Sequence, residues 1–175
     1  MPIRTFTPFP ILKTYRLVWR QPATTDDVPI FALRSNENVN KYLDRNPSRS
    51  IADAQSFIAA VNQNIEKNNA VYWAITLNDQ LIGTICLFGF SDADNTAEIG
   101  YELLPDYQGK GFMREALRAV IQYGFEHTGL HAITAYTHCE NQSSTKLLEQ
   151  FNFKRALQLV EDGHIVGYKL SKQES

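Results

Sequence analysis

The chain has 175 residues, 43% of them apolar, a length that predicts one domain spanning 1–175 and a core large enough to stand without staples. Nine Gly and seven Pro without any period exclude a collagen-like or low-complexity chain. Seventeen basic residues against nineteen acidic ones give a net charge of −2, which disfavours a strongly basic nucleic-acid binder. Residues 1–13 carry Pro8 and Pro10 and lack a continuous apolar run, so they read as an extended lead-in rather than a signal peptide. Residues 16–21 alternate Leu17 and Trp19 with Arg16, Val18 and Arg20, predicting a strand that Pro22 ends. Thr25, Asp26 and Asp27 form an N-cap cluster ahead of a short helix, and a further helical turn is expected over 39–43. Ser50 and Asp53 have capping-box spacing, and Ala54, Phe57, Ile58, Val61 and Ile65 behind them follow a helical period.

The period then changes from 3.6 to 2. Residues 71–77 and 81–90 flank the turn signal Asn78-Asp79 and read as a hairpin. A polar turn over 92–95 leads to a strand over 97–104. Its alternation puts Glu98, Gly100 and Glu102 on one face and Ile99, Tyr101 and Leu103 on the other, with Gly100 a bulge or close-approach site. Residues 112–127 are helical, with Met113, Ala116, Leu117, Val120 and Gly124 on one stripe, and Gly129 ends the helix. A strand over 132–138, a helix over 142–151, a strand over 155–161, the hairpin signal Asp162-Gly163 and a strand over 165–170 complete the chain. The strand–helix–strand unit from Glu98 to His138 requires a right-handed crossover and a parallel pair. The fold class is α+β: a mixed, mostly antiparallel sheet with helices on both faces.

The chemistry concentrates in Gln108-Gly109-Lys110-Gly111-Phe112-Met113-Arg114, a Gly-x-Gly loop opening an amphipathic helix. Glycines let backbone N–H groups approach an anion closely, and the helix N-terminus adds a partial charge of about +0.5 e. Lys110 and Arg114 bring formal positive charge to the same place. There is no third glycine at dinucleotide-fold spacing and no Gly-Lys-Ser/Thr ending, so neither a Rossmann site nor a P-loop fits. Downstream, Asn141 suits the N-cap of the last helix. Ser144, Leu147, Leu148 and Phe151 share a stripe, so Ser144 points inward and needs a hydrogen-bond partner, which a helix carbonyl could also supply.

These residues resemble the GNAT acetyltransferase superfamily. Gln108-Gly109-Lys110-Gly111-Phe112-Met113 is similar to its acyl-CoA pyrophosphate motif. Ala97-Glu98-Ile99-Gly100-Tyr101, the Glu115-Ala116 pair and the run from Asn141 through Ser144 to Phe153 look like the RimJ/RimL branch, whose members acetylate protein N-terminal or related amines. Met113 replaces the last small residue of the general motif, and Asn152 stands where the family usually has Gly. The resemblance implies a parallel strand pair that splays to admit the pantetheine arm, with the Leu103 main chain at the thioester. It also implies acetyl-CoA as acyl donor on residues 108–114, with Asn141, Ser144 and Lys146 nearby, and a homodimeric habit. Ser144 would protonate the departing thiolate. Glu98 or Glu102 would deprotonate the ammonium, since only a neutral amine attacks a thioester; His138 is the runner-up base.

The acceptor is then a primary amine. A protein N-terminal α-amine leads, and a polyamine, amino acid or antibiotic is the alternative. Acidic residues around the mouth (Asp44, Glu98, Glu102) suit any cationic acceptor. A non-catalytic acyl-CoA sensor is a rival from another class. Cys139 lacks an acid–base partner in sequence, Cys86 reads as core, and the four histidines have no metal-ligand spacing, so no metal is expected. No run approaches the ~18 apolar residues that span a bilayer, so no membrane association and a cytoplasmic location are expected.

Overall fold

The computed structural model describes residues 4–156, Leu159 and residues 163–173. Eight strands form one sheet in the order β1-β2-β3-β4-β5-β6-β8-β7. They are β1 (Leu12–Lys13), β2 (Val18–Arg20), β3 (Val71–Leu77), β4 (Gln80–Ser91), β5 (Thr96–Leu103), β6 (Ala132–His138), β7 (Lys154–Arg155) and β8 (Ile165–Ser171). Every neighbouring pair is antiparallel except β5 and β6. The helices are α1 (Asp27–Ser35), α2 (Glu37–Asn40), α3 (Ile51–Glu66), α4 (Phe112–His127) and α5 (Gln142–Gln150). None of the described helices is long and apolar enough to cross a membrane.

The parallel pair is short. Registered partners run only from Thr96↔Ala132 to Glu98↔Thr134. Beyond them β5 continues to Leu103 on β4 and β6 continues to His138 on β8, with no pairing between the two. The expected splay is therefore present, opening over five residues of β5, about 17 Å of strand.

Strand alternation divides the sheet into two faces. Trp73, Ile75, Ile85, Leu87, Ile99 and Leu103 pack with Ala116, Leu117, Val120 and Tyr123 of α4 and Leu148 of α5 in the main core. On the opposite face Ala74 packs with Ile30 of α1 and Ala54 and Ile58 of α3 in a smaller core. The burial of Tyr123 widens the α4 stripe beyond the expected set.

Several local expectations need correction. The turn expected over 39–43 begins at Glu37, because Asn36 Oδ1 accepts from Asn38 N and Val39 N and caps it earlier. Only half of the capping box forms: Ser50 Oγ accepts from Asp53 N, while the Asp53 carboxylate reaches Arg49 N. Gly100 is no bulge. It holds register opposite Cys86, whose Sγ would lie 3.3 Å from an added Cβ, and the irregularity falls on β4 between Phe88 and Ser91. Around the strand expected over 155–161, the described residues pair at Lys154 and Arg155, after which Ala156 N donates to Gly167 O and Leu159 N turns back to Ala156 O. Residues 157–158 and 160–162, with the Asp162 half of the hairpin signal, lie outside the described residues.

Candidate active site

Three pieces meet at the splay: the free length of β5, the loop into α4 and the first turn of α5. Pro105 follows β5 and starts a single 3-10 turn over Pro105–Tyr107, which aims the chain at the helix. Gly109 and Gly111 have φ of +74° and +82°, the left-handed region that only glycine enters without cost, and Gly111 is the N-cap of α4. A Cβ on Gly109 would meet nothing, so its requirement is conformational. Gly109, Lys110 and Gly111 are exposed, as is Arg114 in the first turn, whereas Met113 is half-buried and Phe112 is buried. The loop thus offers exposed backbone N–H groups, two cationic side chains and a helix N-terminus, a donor set suited to a pyrophosphate.

Gln108 also ties the loop to the sheet: its Nε2 donates to the Leu103 carbonyl, at the end of β5, over 2.9 Å. Leu104 N donates to Ile82 O at 2.9 Å. In an antiparallel ladder this phase turns the main-chain groups of Leu103, Tyr101 and Ile99 away from β4, toward the splay. The Leu103 carbonyl is therefore occupied by Gln108, while its N–H faces the gap.

Across that gap Tyr101 Oη and Ser144 Oγ lie 2.7 Å apart. Ser144 is placed by Asn141, whose Oδ1 accepts from Ser144 N at 3.3 Å and caps α5. The partner required for the inward-facing hydroxyl is thus Tyr101, not a helix carbonyl. Burial pushes the Tyr101 phenol up to about 12 even though Ser144 pulls it down, so Tyr101 keeps its proton at neutral pH. Lys146 is exposed and lies off the stripe that carries Ser144.

The loop is braced by a residue that the sequence reading passed over. Arg16 Nε donates to Glu115 Oε1 at 2.9 Å, its Nη1 donates to Lys110 O at 3.1 Å, and its guanidinium sits 4.3 Å over the Phe112 ring. Thr14 Oγ1 also donates to Glu115, and Arg16 N adds a further bond. Burial alone would raise the Glu115 pKa, but the Thr14 and Arg16 bonds and the Arg16 charge hold it below the usual range. This pairing neutralises an anion one turn inside a helix that must receive another. No sequence spacing signals it, because 99 residues separate the partners.

The two carboxylates lie on the other face, with Thr84 and Cys86 of β4 opposite Glu102 and Gly100. The acidic residues expected around the mouth differ in their surroundings. Glu102 is paired with Arg45, while Asp44 is simply exposed. Burial raises the Glu102 pKa, and the charges of Arg45 and Arg34 only partly counter it. Glu98, half-buried, has an interaction partner of its own. Arg45 belongs to the loop between α2 and α3, which also sets Tyr42 5.2 Å from His138. The loop therefore straps over the mouth of the splay, touching β5 through Arg45 and β6 through Tyr42.

His138 Nδ1 accepts from Glu140 N at 3.1 Å, and its ring stacks on His164 at 5.6 Å. That bond fixes the proton of a neutral imidazole on Nε2. Cys139 is exposed, and burial pushes the Cys86 thiol up to about 12. No group of three or more metal-binding side chains occurs among the described residues.

The strand order, the splay and the glycine-capped helix together are those of an acyl-CoA-dependent N-acyltransferase. Residues 16–154 match the family described as Acetyltransferase (GNAT) domain, and the chain belongs to that family. It is 36% identical over 149 residues to the uncharacterized N-acetyltransferase YoaA of Bacillus subtilis (strain 168), covering 84% of each chain. Its fold matches the ribosomal L7/L12 alpha-N-protein acetyltransferase RimL in complex with coenzyme A, with a TM-score of 0.82, 17% identity and coverage of 93% and 98%. It matches the spermidine N-acetyltransferase of Vibrio cholerae in complex with CoA and spermine at TM-score 0.78, 24% identity and coverage of 90% and 96%. The protein is an N-acetyltransferase.

Proposed function

We propose that the protein acetylates the α-amine of a protein N-terminus by direct attack in a ternary complex. The observation that carries the direct-attack chemistry is the Tyr101–Ser144 hydrogen bond at the open end of the splay; the choice of an α-amine is supported by the likeness in fold to the L7/L12 alpha-N-protein acetyltransferase RimL. The hydrogen-bonded pair puts a neutral proton donor where the thioester sulfur would lie if the pantetheine arm enters the gap. Residues 108–114 would hold the pyrophosphate, with Lys110 and Arg114 supplying charge. Gln108 would act indirectly by fixing Leu103, whose N–H would steady the thioester carbonyl. Asn141 would set the height of Ser144, and Lys146 would reach the donor only from outside the gap.

Bound in this way, acetyl-CoA supplies an activated acetyl group. Glu102 takes a proton from the incoming ammonium, directly or through water; Glu98 is the second candidate on the same face. The freed amine attacks the thioester carbonyl, the tetrahedral intermediate collapses with breakage of the C–S bond, and Ser144 gives its proton to the leaving sulfur. The proton shed by the acylated nitrogen, passed through water, restores the Ser144 hydroxyl, which Tyr101 holds in line. The raised pKa of Glu102 suits a base working near neutrality better than an exposed carboxylate would.

The test is thiol release from acetyl-CoA with a panel of N-terminal peptides, amino acids and polyamines. Release driven by peptide α-amines supports the reading. Release driven only by polyamines reassigns the acceptor, and binding of acetyl-CoA with no amine-dependent release makes the chain a sensor.

A further inference from the structure

Among the described residues only four buried side-chain polar atoms lack a hydrogen-bond partner: Trp19 Nε1, Arg34 Nε, Arg45 Nη2 and Glu102 Oε2. Three of the four belong to residues that converge from α1, the α2–α3 loop and β5 on the acceptor face. Buried polar groups are nearly always satisfied, so three orphans in one place point to a ligand. The Arg34 guanidinium lies 3.7 Å over the Phe57 ring and forms no ion pair of its own. Arg45 Nε donates to Asn40 Oδ1 at 2.7 Å and Nη1 reaches Glu102, which fixes the fork and leaves Nη2 without a hydrogen-bond partner among the described residues.

Two guanidinium groups, those of Arg45 and Arg34, act on the carboxylate of Glu102. Burial and the neighbouring Arg45 depress the Arg34 pKa, while Glu102 supports it. Tyr72, which packs edge-on to Phe57 at 5.7 Å, is held neutral by burial and adds no anion. The cluster therefore carries an excess positive charge in a desolvated place. A polyamine would bring further cations to it. A group with one ammonium and one carboxylate would complement it, the ammonium at Glu102 and the carboxylate on the two guanidinium forks, which match carboxylate geometry.

We propose that Arg34 and Arg45 form a carboxylate subsite, selecting acceptors whose α-amine is accompanied by a carboxylate on the same or the next residue. This rests on the α-amine reading above and narrows it. A peptide beginning with, or followed by, an acidic side chain fits, as does a free amino acid through its α-carboxylate.

The experiment is calorimetric binding to the CoA-loaded protein, which does not depend on turnover. One arm compares C-terminally amidated peptides that differ only in Glu or Gln at the second position, and in Asp or Asn at the first. A second arm compares a free amino acid with its carboxamide, and spermidine serves as the cationic control. The carboxylate member of at least one pair is expected to bind 10-fold tighter or more, with the arm that discriminates naming the source. Arg34→Gln and Arg45→Gln should each reduce the difference to under twofold, and Arg45→Lys should keep part of it. Equal binding within every pair of the unaltered protein overturns the proposal without any variant. So does tighter binding of spermidine, or discrimination that survives both Gln substitutions. Thiol release by peptide α-amines irrespective of acidity would leave the α-amine reading standing while the subsite fails.

Discussion

Removing the Ser144 hydroxyl separates chemistry from binding, because its one side-chain partner is Tyr101. If Ser144 protonates the departing thiolate, its contribution arises mainly in the transition state, so Ser144→Ala should lower kcat and leave acetyl-CoA affinity nearly unchanged. General acids typically contribute ~10²–10⁴-fold, and a thiol is a tolerable leaving group, so the expected loss is about 10–100-fold. The structure also sets a stability cost. Tyr101 Oη would lose its partner in a half-buried position, worth about 1 kcal/mol, and at this chain length that lowers Tm by roughly 2–4 °C. Tyr101→Phe removes the orienting group but keeps the acid, so its kcat should fall only several-fold. The double variant should be little worse than Ser144→Ala alone, because the two act as one unit. The assay is thiol release at saturating acetyl-CoA, beside a calorimetric Kd for the donor and a melting curve. Unchanged kcat in both single variants would refute the proton-donor assignment. A weakened Kd with full turnover would make Ser144 a donor contact instead.

Gly111→Val should weaken acetyl-CoA binding at least 10-fold, since φ is +82° there and a Cβ would lie 3.4 Å from Arg16 Nη2; Lys110→Ala should cost less and lose its effect at high salt, as titration at two ionic strengths will show. Arg16→Ala should lower Tm by a few degrees and weaken acetyl-CoA binding several-fold without changing kcat at saturation. Its exposed pairing with Glu115 is worth little alone, but the loop loses its brace and Glu115 its counter-charge. The acid limb of kcat/KM should lie above the ordinary carboxylate range, because burial raises Glu102 and the base must be ionised to act; Glu102→Gln should abolish that limb together with most activity, and a limb that persists would move the role to Glu98 or His138. Asp26 is held low despite burial by the Arg20 fork and Ala23 N. Its stabilisation is present above the unfolded carboxylate pKa and is lost as pH falls through the lower folded value, so Asp26→Asn should flatten the acid side of a Tm-against-pH curve.

What the sequence reveals follows from how far each signal reaches along the chain. The α4 bounds are legible because a left-handed cap at Gly111 and the Thr128-Gly129 exit bracket one apolar stripe. The β3–β4 hairpin is legible because Asn78 and Asp79 both tolerate positive φ, at 49° and 64°. Ser144 is found by its helical offset from Leu147 and Leu148, and Asn152 keeps the αL position beyond α5 at φ 67°. Each of these is a local constraint acting within a few residues. α2 starts earlier than its apolar residues suggest because Asn36 takes the N–H groups of both Asn38 and Val39.

The charged half of the site follows a different rule. Glu102 is visible as an alternating strand residue, yet its state is set by Arg45, 57 positions earlier, and by Arg34 beyond that. In sequence those arginines belong to a helix end and a polar loop, where a solvated role is the default. Burial comes only when α3 folds Phe57 under Arg34 and the loop is drawn across the splay, with Tyr42 against His138. The same strap converts Glu102 from a surface acid into a desolvated one. The acid–base character of the site and its charge selectivity therefore have a common origin in the residue 41–49 crossing. A change that lifts Tyr42 from His138, such as Tyr42→Ala, should return Glu102 to solvent and draw Arg45 off the acceptor face, while Arg34 stays over Phe57. The acid limb of kcat/KM should then move down toward the ordinary carboxylate range, and an unmoved limb would refute the strap's role.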